Sequence, residues 1–420
     1  MKKDSINNYQ AKVFKPIFRS LQYRNYRLFF AGQSVSLIGT WMQRIAMPWL
    51  VYDLTKSVFL LGLVGFVGQV PTFLLSPFAG VLTDRWNRYH ILIATQIFAM
   101  LQAIVLTWLV FNKSVEVWQI ILLSAFLGCV NAFDIPARQS FVIQMVDKKE
   151  DLGNAIALNS SMVNGARLLG PSIAGILLAT TGEGICFLLN ALSYVFVIWS
   201  LLLMKVAPHE KKSQNKPVWK EFKEGFSYTF GSIPIKYTIL LLALVSLMGM
   251  PYTVLMPVFA KEILHGGSHT FGFLMGASGL GALIGAFYLA SRKSVIGLDK
   301  VIPLAAATFG VGLILFSFSR FFALSLVLMV ITGLGMMLQM ASSNTIMQTI
   351  AEDDKRGRVM SFYTMAFMGT APFGSLLAGS LAKIAGVPNT ILIGGISCIL
   401  GALLFTRKLP VITKAILEHK

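Results

Sequence analysis

The sequence predicts an all-α membrane protein of twelve transmembrane helices, arranged as two pseudo-symmetric six-helix bundles. Three observations predict this fold class: the composition, a series of long apolar stretches, and a weak internal repeat. Of the 420 residues, 55% are hydrophobic and only 13% are charged, and the mean hydropathy is +0.69. Chains of this composition are membrane proteins.

Twelve apolar stretches are each of a length that suits a membrane-spanning helix, which takes about 20 residues. Strands of a membrane barrel would be shorter and would alternate apolar with polar residues, so the stretches favour helices. They cover roughly residues 28–52, 57–82, 90–111, 116–137, 154–180, 184–204, 237–260, 271–290, 299–318, 321–347, 359–384 and 389–406.

The one long polar stretch separates six of these spans from the other six. It predicts a first bundle at 1–204, a cytoplasmic linker at 205–236, and a second bundle with a short cytoplasmic tail at 237–420. Within the linker, aromatic residues from Trp219 to Phe230 recur at helical spacing. This pattern indicates either an amphipathic helix on the inner leaflet or a flexible tether with incidental aromatics.

An internal repeat supports the division into two halves. A shift of 204 residues superimposes the fourth and fifth spans on the tenth and eleventh, so that Gly170 falls on Gly374 and Gly175 falls on Gly379. Two related six-helix halves are typical of secondary transporters.

The net charge of +18 indicates topology rather than nucleic-acid binding. With the N-terminus inside, 29 of the 36 lysines and arginines lie in segments that would face the cytoplasm, and five lie in outer loops. The positive-inside rule then predicts that both termini are cytoplasmic, with the basic residues near anionic lipid headgroups. The first 27 residues have no apolar core of a cleavable signal peptide.

A short polar loop joins the second and third spans and carries Gly80, Asp84, Arg85 and Arg88. It resembles the loop between helices 2 and 3 of the major facilitator superfamily, whose pattern is G-x-L-x-D-R-x-G-R, with Asn87 here in place of a glycine. In that superfamily the acid latches the two halves together on the inner side. The resemblance therefore implies a gating role for these four residues, and the alternative is a solvated turn.

Arg138 lies at the inner end of the fourth span and is a candidate partner for Asp84. Asp134 lies one helical turn earlier on the same face, so a pair between Asp134 and Arg138 is equally compatible with the sequence.

The fifth span contains Gly170, Pro171 and Gly175, preceded by Gly165. It resembles the antiporter motif of the same superfamily, G-x-x-x-G-P-x-x-G-G, with alanines replacing two glycines. Small residues let helix backbones approach closely, so the motif predicts helix packing in any case. In the superfamily its presence favours export over uptake.

Two arginines lie within predicted spans, Arg167 near the middle of the fifth and Arg44 in the outer half of the first. A charge at such a depth is costly and normally faces a cavity or a partner. Because carboxylates within the spans are few, the arginines predict a positively charged cavity for an anionic or polyphenolic solute. Pairing with Asp53, Asp134 or helix carbonyls is the alternative.

Other polar residues could line the same cavity, although each alone is more often an interhelical hydrogen-bonding group. The predicted cavity set is Gln33, Arg44, Gln69, Asn159, Arg167, Gln339 and Asn344.

Proton coupling has two candidate residues, Asp53 and Asp134, of which Asp53 is better placed to exchange protons with the outside. None of the five histidines lies in the interior of a span.

Three stretches resemble one branch of the superfamily, the enterobactin-exporter-like transporters or transmembrane secretion effectors. They are Thr40 to Thr55, Asp134 to Gln139 and Arg167 to Pro171. The resemblance implies a monomeric exporter in the bacterial inner membrane, moving a siderophore, drug or other amphiphile by alternating access and proton antiport. A lysophospholipid flippase or an organic-anion importer is the alternative.

Other classes of function are disfavoured. The sequence has no phosphate-binding loop of a primary pump and no convergent constellation of an enzyme. No cofactor, metal or nucleic acid is expected, and the expected partners are a small-molecule substrate, protons and lipids.

Overall fold

The computed structural model describes residues 18–146, 148–206, 218–292, 294–352 and 355–418, and every regular element within these ranges is helical. A short 3-10 turn at Arg19–Gln22 precedes the first half. The helices of that half are α1 (Arg24–Thr55), α2 (Val58–Arg85), α3 (Arg88–Phe111), α4 (Val117–Gln144), α5 (Lys149–Thr180) and α6 (Glu183–Leu202).

The second half follows a surface helix, α7 (Val218–Gly231). Its helices are α8 (Ile233–Ile263), α9 (Ser268–Ser291), α10 (Leu298–Phe318), α11 (Phe322–Ile350), α12 (Arg356–Ala385) and α13 (Val387–Thr406), and a last short helix, α14, covers Leu409–Glu418.

Eleven of these described helices, α2 to α6 and α8 to α13, are long and apolar enough to cross a membrane. Helix α1 has 32 residues but is less apolar, because it includes Arg24, Arg27 and Arg44. It packs along α5 and α6 as a member of the first bundle. The chain is therefore an all-α membrane protein of twelve transmembrane helices in two pseudo-symmetric bundles, which confirms the predicted fold class.

Polar side chains fix the starts of several spans. Ser57 accepts a hydrogen bond from the amide of Leu60 at the start of α2, and Glu116 forms a capping box with Gln119 at the start of α4. These side chains satisfy backbone amides that the first turn of a helix leaves without partners. The spans therefore begin at the polar residues that flank each apolar stretch.

Two pairs of helices connect the halves. Helix α5 packs on α9, and α2 packs on α12. Because α5 is the repeat equivalent of α12, the two contacts are related by the pseudo-symmetry of the fold. The space between the halves is thus bounded by the same kind of helix pair on both sides.

Helices α8 and α12 each contain a π-turn at a facing position, Val245–Gly249 in α8 and Met365–Gly369 in α12. The hydroxyl of Ser246 donates to the carbonyl oxygen of Phe367 at 2.5 Å. A π-turn widens the helix and leaves the local backbone bonding irregular. The hydroxyl joins the two irregular segments into one unit.

The segment before each bundle is attached to the fifth helix of that bundle. In the first half, the side chains of Arg19 and Tyr23 both bond to the carboxylate of Asp151, which is only 3% exposed. In the second half, Phe226 and Phe230 pack against Phe362 near the start of α12.

The linker helix α7 is present, and its contact with the membrane stays a prediction. The side chains of Trp219 and Phe222 lie outside the described residues. Glu224 forms an ion pair with Arg358 at 3.1 Å. The described face of α7 therefore rests on the second half.

Candidate functional site

The halves touch most closely at the end of the molecule that carries Asp53, here called the closed end. Two glycine contacts form there. A Cβ added to Gly175 would lie 2.8 Å from the Cα of Gly272, and a Cβ added to Gly62 would lie 2.9 Å from the Cα of Gly379. Both distances are shorter than any ordinary carbon contact, so only hydrogen fits between these backbones.

The glycines of the predicted antiporter motif take part in this packing. Gly170 faces the Cβ of Trp41 on α1, and the carbonyl of Pro171 faces Gly272 on α9. The motif residues thus lie where α5 meets both its own half and the other half.

Polar groups add a latch between α1 and α8 at the same end. The Asp53 carboxylate lies 2.8 Å from the ammonium group of Lys261, and the hydroxyl of Tyr52 donates to the Glu262 carboxylate at 3.0 Å. Asp53 also pairs with Lys56, its own neighbour on the chain. Tyr52 is only 5% exposed, so the Tyr52–Glu262 bond is the better shielded of the cross-half bonds.

Towards the opposite end, here called the open end, the same helices diverge. Ala157, Ser161, Asn164 and Leu168 continue the face of α5 that carries Gly175, because they recur at helical spacing. Ala157 and Ser161 are exposed, in contrast to buried Gly175. The exposed face indicates that the halves separate towards this end, and the space between them is here called the cavity.

Arg167 lies where the contact between α5 and α9 begins. The backbone of Arg167 and Leu168 lies against Gly279 of α9. The Arg167 guanidinium donates to the sulfur of Met336 on α11 at 3.4 Å, so it contacts the second half from the first. Arg167 therefore lies at the limit of the cavity that is nearest to the closed end.

Arg44 faces the same cavity. It is exposed although it lies in the interior of α1, and it interacts electrostatically with Arg138, Arg167 and Tyr194 on three surrounding helices. Among the described residues, no carboxylate lies within ion-pair distance of Arg44 or Arg167.

Trp41 contacts both arginines. The guanidinium carbon of Arg44 is 4.9 Å from the centre of the Trp41 ring, and that of Arg167 is 5.8 Å from it. These are cation–π distances. The cavity thus contains two guanidinium groups held by one aromatic ring.

Asp134 is enclosed within the first half and is 6% exposed. One carboxylate oxygen accepts from Thr95 at 3.1 Å and from Gln96 at 2.7 Å, and the other lies 3.5 Å from Arg138. The alternative pairing of Arg138 with Asp134 is therefore present in this conformation.

The other predicted cavity residues divide into two groups. Gln69 is exposed on the face of α2 that carries Gly62, and Asn159 and Asn344 are half-buried. Gln33 and Gln339 are buried, with 4% and 1% exposure, and lie in helix packing rather than in the open cavity.

The predicted gating loop lies at the open end, between α2 and α3. The side chains of Gly80, Asp84 and Arg85 lie outside the described residues, and Arg88 is half-buried at the first position of α3. Asn87 has a φ of −69° and its side chain accepts a hydrogen bond from the amide of Tyr89. Asparagine therefore serves as the N-cap where the superfamily pattern has glycine.

Sequence reasoning missed three features of the site. These are the contact of Trp41 with both arginines and the roles of Lys261 and Glu262 as partners across the halves. All three depend on residues far apart in the chain. Only the proximity of Trp41 to Arg44 in the sequence gave a signal.

Comparison with known proteins decides the family. The sequence pattern described as transmembrane secretion effector, within the major facilitator superfamily, matches residues 16–419. The chain belongs to this family. It is a transporter and not an enzyme.

Two relatives of this secretion effector span almost its full length. It is 27% identical to a staphyloferrin A transporter of Staphylococcus aureus, over 90% of this chain and 95% of that protein. It is 22% identical to macrolide efflux protein A of Streptococcus pyogenes, over 89% and 94%.

A solved structure of a bacterial homologue of the iron transporter ferroportin, in an inward-facing state, has a similar fold. Its TM-score is 0.68 at 18% identity, over 92% of this chain and 98% of that one. At this identity the likeness concerns the fold alone.

Proposed function

We propose that this secretion effector exports a small anionic or amphiphilic solute across the bacterial inner membrane by alternating access, in exchange for protons. The observation that carries the proposal is the pair of cavity arginines, Arg44 and Arg167, with no described carboxylate partner. A cation in a low-dielectric cavity gains most from an anionic ligand. Relatives with efflux and siderophore-transport names support a transporter of this class.

The distribution of basic residues supports the orientation of the protein in the membrane. The open end carries the 80–88 loop and, by the positive-inside rule, faces the cytoplasm together with both termini. The conformation described above is then inward-facing, with its cavity available to cytoplasmic cargo. The halves at 1–204 and 237–420 rock as two bodies, joined by the linker at 205–236, and the protein works as a monomer.

Gating at the open end rests on the sequence. In the alternate conformation, Gly80, Asp84, Arg85 and Arg88 would close the cytoplasmic side, and Arg138 would exchange Asp134 for Asp84. The 3.5 Å contact between Arg138 and Asp134 is longer than a hydrogen bond, and Asp134 has two further partners in Thr95 and Gln96. Both observations support such an exchange.

Of the two candidate proton carriers, Asp53 is better coupled to the conformational change. Its contact with Lys261 crosses between the halves and must break when the closed end opens. The partners of Asp134 all belong to the first half, so none of its contacts crosses between the halves. Protonation of Asp53 from outside would remove the attraction to Lys261 and favour opening.

The test is efflux from proteoliposomes loaded with siderophores, drugs or lysolipids, with and without a pH gradient. Export of an anionic solute that is accelerated by an inward proton gradient, and that Arg167→Gln abolishes, is the expected result. Uptake alone would favour the organic-anion importer, and movement of lysolipids alone would favour the flippase.

Two further variants separate specific from general effects. Arg407→Gln removes an exposed arginine from the turn between α13 and α14 and is expected to leave transport unchanged. Asp53→Asn is expected to remove the proton dependence while downhill movement of the solute continues. If the Asp53→Asn variant keeps its full proton dependence, Asp134 becomes the candidate for the proton carrier.

A further inference from the structure

The contact of one tryptophan ring with two arginines gives a narrower indication of the cargo than charge alone. We propose that Trp41 is a positioning residue that holds Arg44 and Arg167 ready for a cargo with two or more anionic groups, one for each arginine. The inference rests on the proposed function and names the chemical class of its substrate.

Neither guanidinium group is held by a described carboxylate. Guanidinium groups within membrane-spanning helices are usually paired with carboxylates, which occupy their N–H donors. Here the described contacts of the two groups are the Trp41 ring and, for Arg167, the sulfur of Met336. An aromatic face attracts a cation without accepting its in-plane N–H groups strongly. The donors of both arginines therefore stay available for ligand oxygens.

Trp41 packs closely against α5. Its Cβ lies so near to Gly170 that a side chain at position 170 would displace it. Trp41 itself is half-buried. Packing at Gly170 thus fixes the start of the Trp41 side chain, and the ring of that side chain contacts the two guanidinium groups. Trp41 thus contacts both Gly170 of the antiporter motif and the two arginines.

The two guanidinium groups lie near each other. Their carbons are 4.9 and 5.8 Å from one ring centre, so they are at most about 11 Å apart. A single carboxylate that pairs bidentately with one guanidinium group leaves the other without an anionic partner. A solute with two anionic groups on one short backbone can pair with both. Such a solute would also relieve the repulsion between the two cations, which a monoanion would relieve only in part.

The experiment measures binding to the purified full-length protein in detergent. The probes are the dicarboxylates butanedioate, hexanedioate, octanedioate and decanedioate, each compared with its monomethyl ester, which has one charge fewer at similar size. Affinity is measured by isothermal titration calorimetry. At the best chain length, the diacid is expected to bind at least about tenfold more tightly than its ester, because a second charge-assisted pair forms.

Variants assign the preference to the proposed residues. Arg44→Gln and Arg167→Gln are each expected to bring diacid and ester to equal affinity. Trp41→Phe keeps an aromatic face and should keep the preference, whereas Trp41→Leu should lose it. Because Trp41→Leu could also disturb packing at Gly170, the readout is the diacid-to-ester ratio in folded protein, which a loss of stability does not change.

Three results would overturn the proposal. The first is equal or undetectable binding of diacids and esters to the wild type at every chain length. The second is a preference that survives in both arginine variants. The third is a preference unchanged in Trp41→Leu. In each case efflux of another solute from proteoliposomes would leave the proposed transport function standing.

Discussion

Substitution of Gly379 by alanine tests how the closed end is sealed. The new methyl carbon would lie 2.9 Å from the Cα of Gly62 and 3.0 Å from the carbonyl oxygen of Val58. Carbon atoms rest at about 3.5–4.0 Å, so α2 and α12 must separate by roughly half to one ångström. Overpacking of this kind costs about 1–3 kcal/mol.

This cost acts on one conformer only. The contact between Gly62 and Gly379 exists while this end is closed, so the substitution raises the ratio of open to closed conformers by about 5- to 150-fold. Alanine is also favoured over glycine in a helix by about 1 kcal/mol. That gain applies to both conformers and does not change their ratio.

The assay is alkylation of a single cysteine. Cys129, Cys186 and Cys398 are replaced by serine, and Ser375→Cys is introduced as the reporter, since Ser375 is 3% exposed and lies beside Gly65. Gly379→Ala is expected to accelerate modification by a membrane-impermeant maleimide at least fivefold.

The matched control is Gly165→Ala on α5, where an added Cβ meets nothing within 4 Å. It should leave the alkylation rate unchanged. Equal rates in the Gly379 and Gly165 variants would refute the idea that this glycine contact determines closure.

Three further outcomes follow from individual contacts. Tyr52→Phe removes the hydrogen bond to Glu262, worth about 1.5–3 kcal/mol for a charged acceptor, and should accelerate the same alkylation reaction; an unchanged rate would contradict a latch role. Ser246→Ala removes the bond to Phe367 and should lower the free energy of unfolding by about 1 kcal/mol, measured by thermal melting in detergent. Asp151→Asn should free the N-terminal turn, which limited proteolysis would detect as faster cleavage before α1; equal cleavage would show that Asp151 does not anchor it.

Much of the fold could be predicted because the membrane restricts the choices. In a membrane, long apolar stretches of this length can only be helices, and the number of stretches gives the number of helices in the two bundles. The first span shows the limit of hydropathy: three arginines make α1 less apolar than the rest, although it packs within the bundle. The π-turns in α8 and α12 have no sequence signal of their own, because they depend on contacts between the two helices.

The candidate site was predictable in its parts but not in its arrangement. Arg44 and Arg167 were recognisable as charges at depth, and they lie at the same cavity. Gln33 and Gln339 were assigned to that cavity, yet they are buried in helix packing. A glutamine within a span has the same sequence signature in both environments, since only the direction of the side chain differs. The contact of Trp41 with both arginines could not be predicted, because it depends on how α1 and α5 cross.

The two guanidinium groups beside Trp41 have a consequence for the empty carrier. An unloaded cavity with two fixed positive charges attracts mobile counter-ions such as chloride from the solution. When the transporter returns without cargo, it would then either carry inorganic anions back across the membrane or release them first. Turnover would therefore depend on which anion the buffer contains, and a weakly hydrated anion that binds guanidinium well would slow the cycle at fixed cargo concentration.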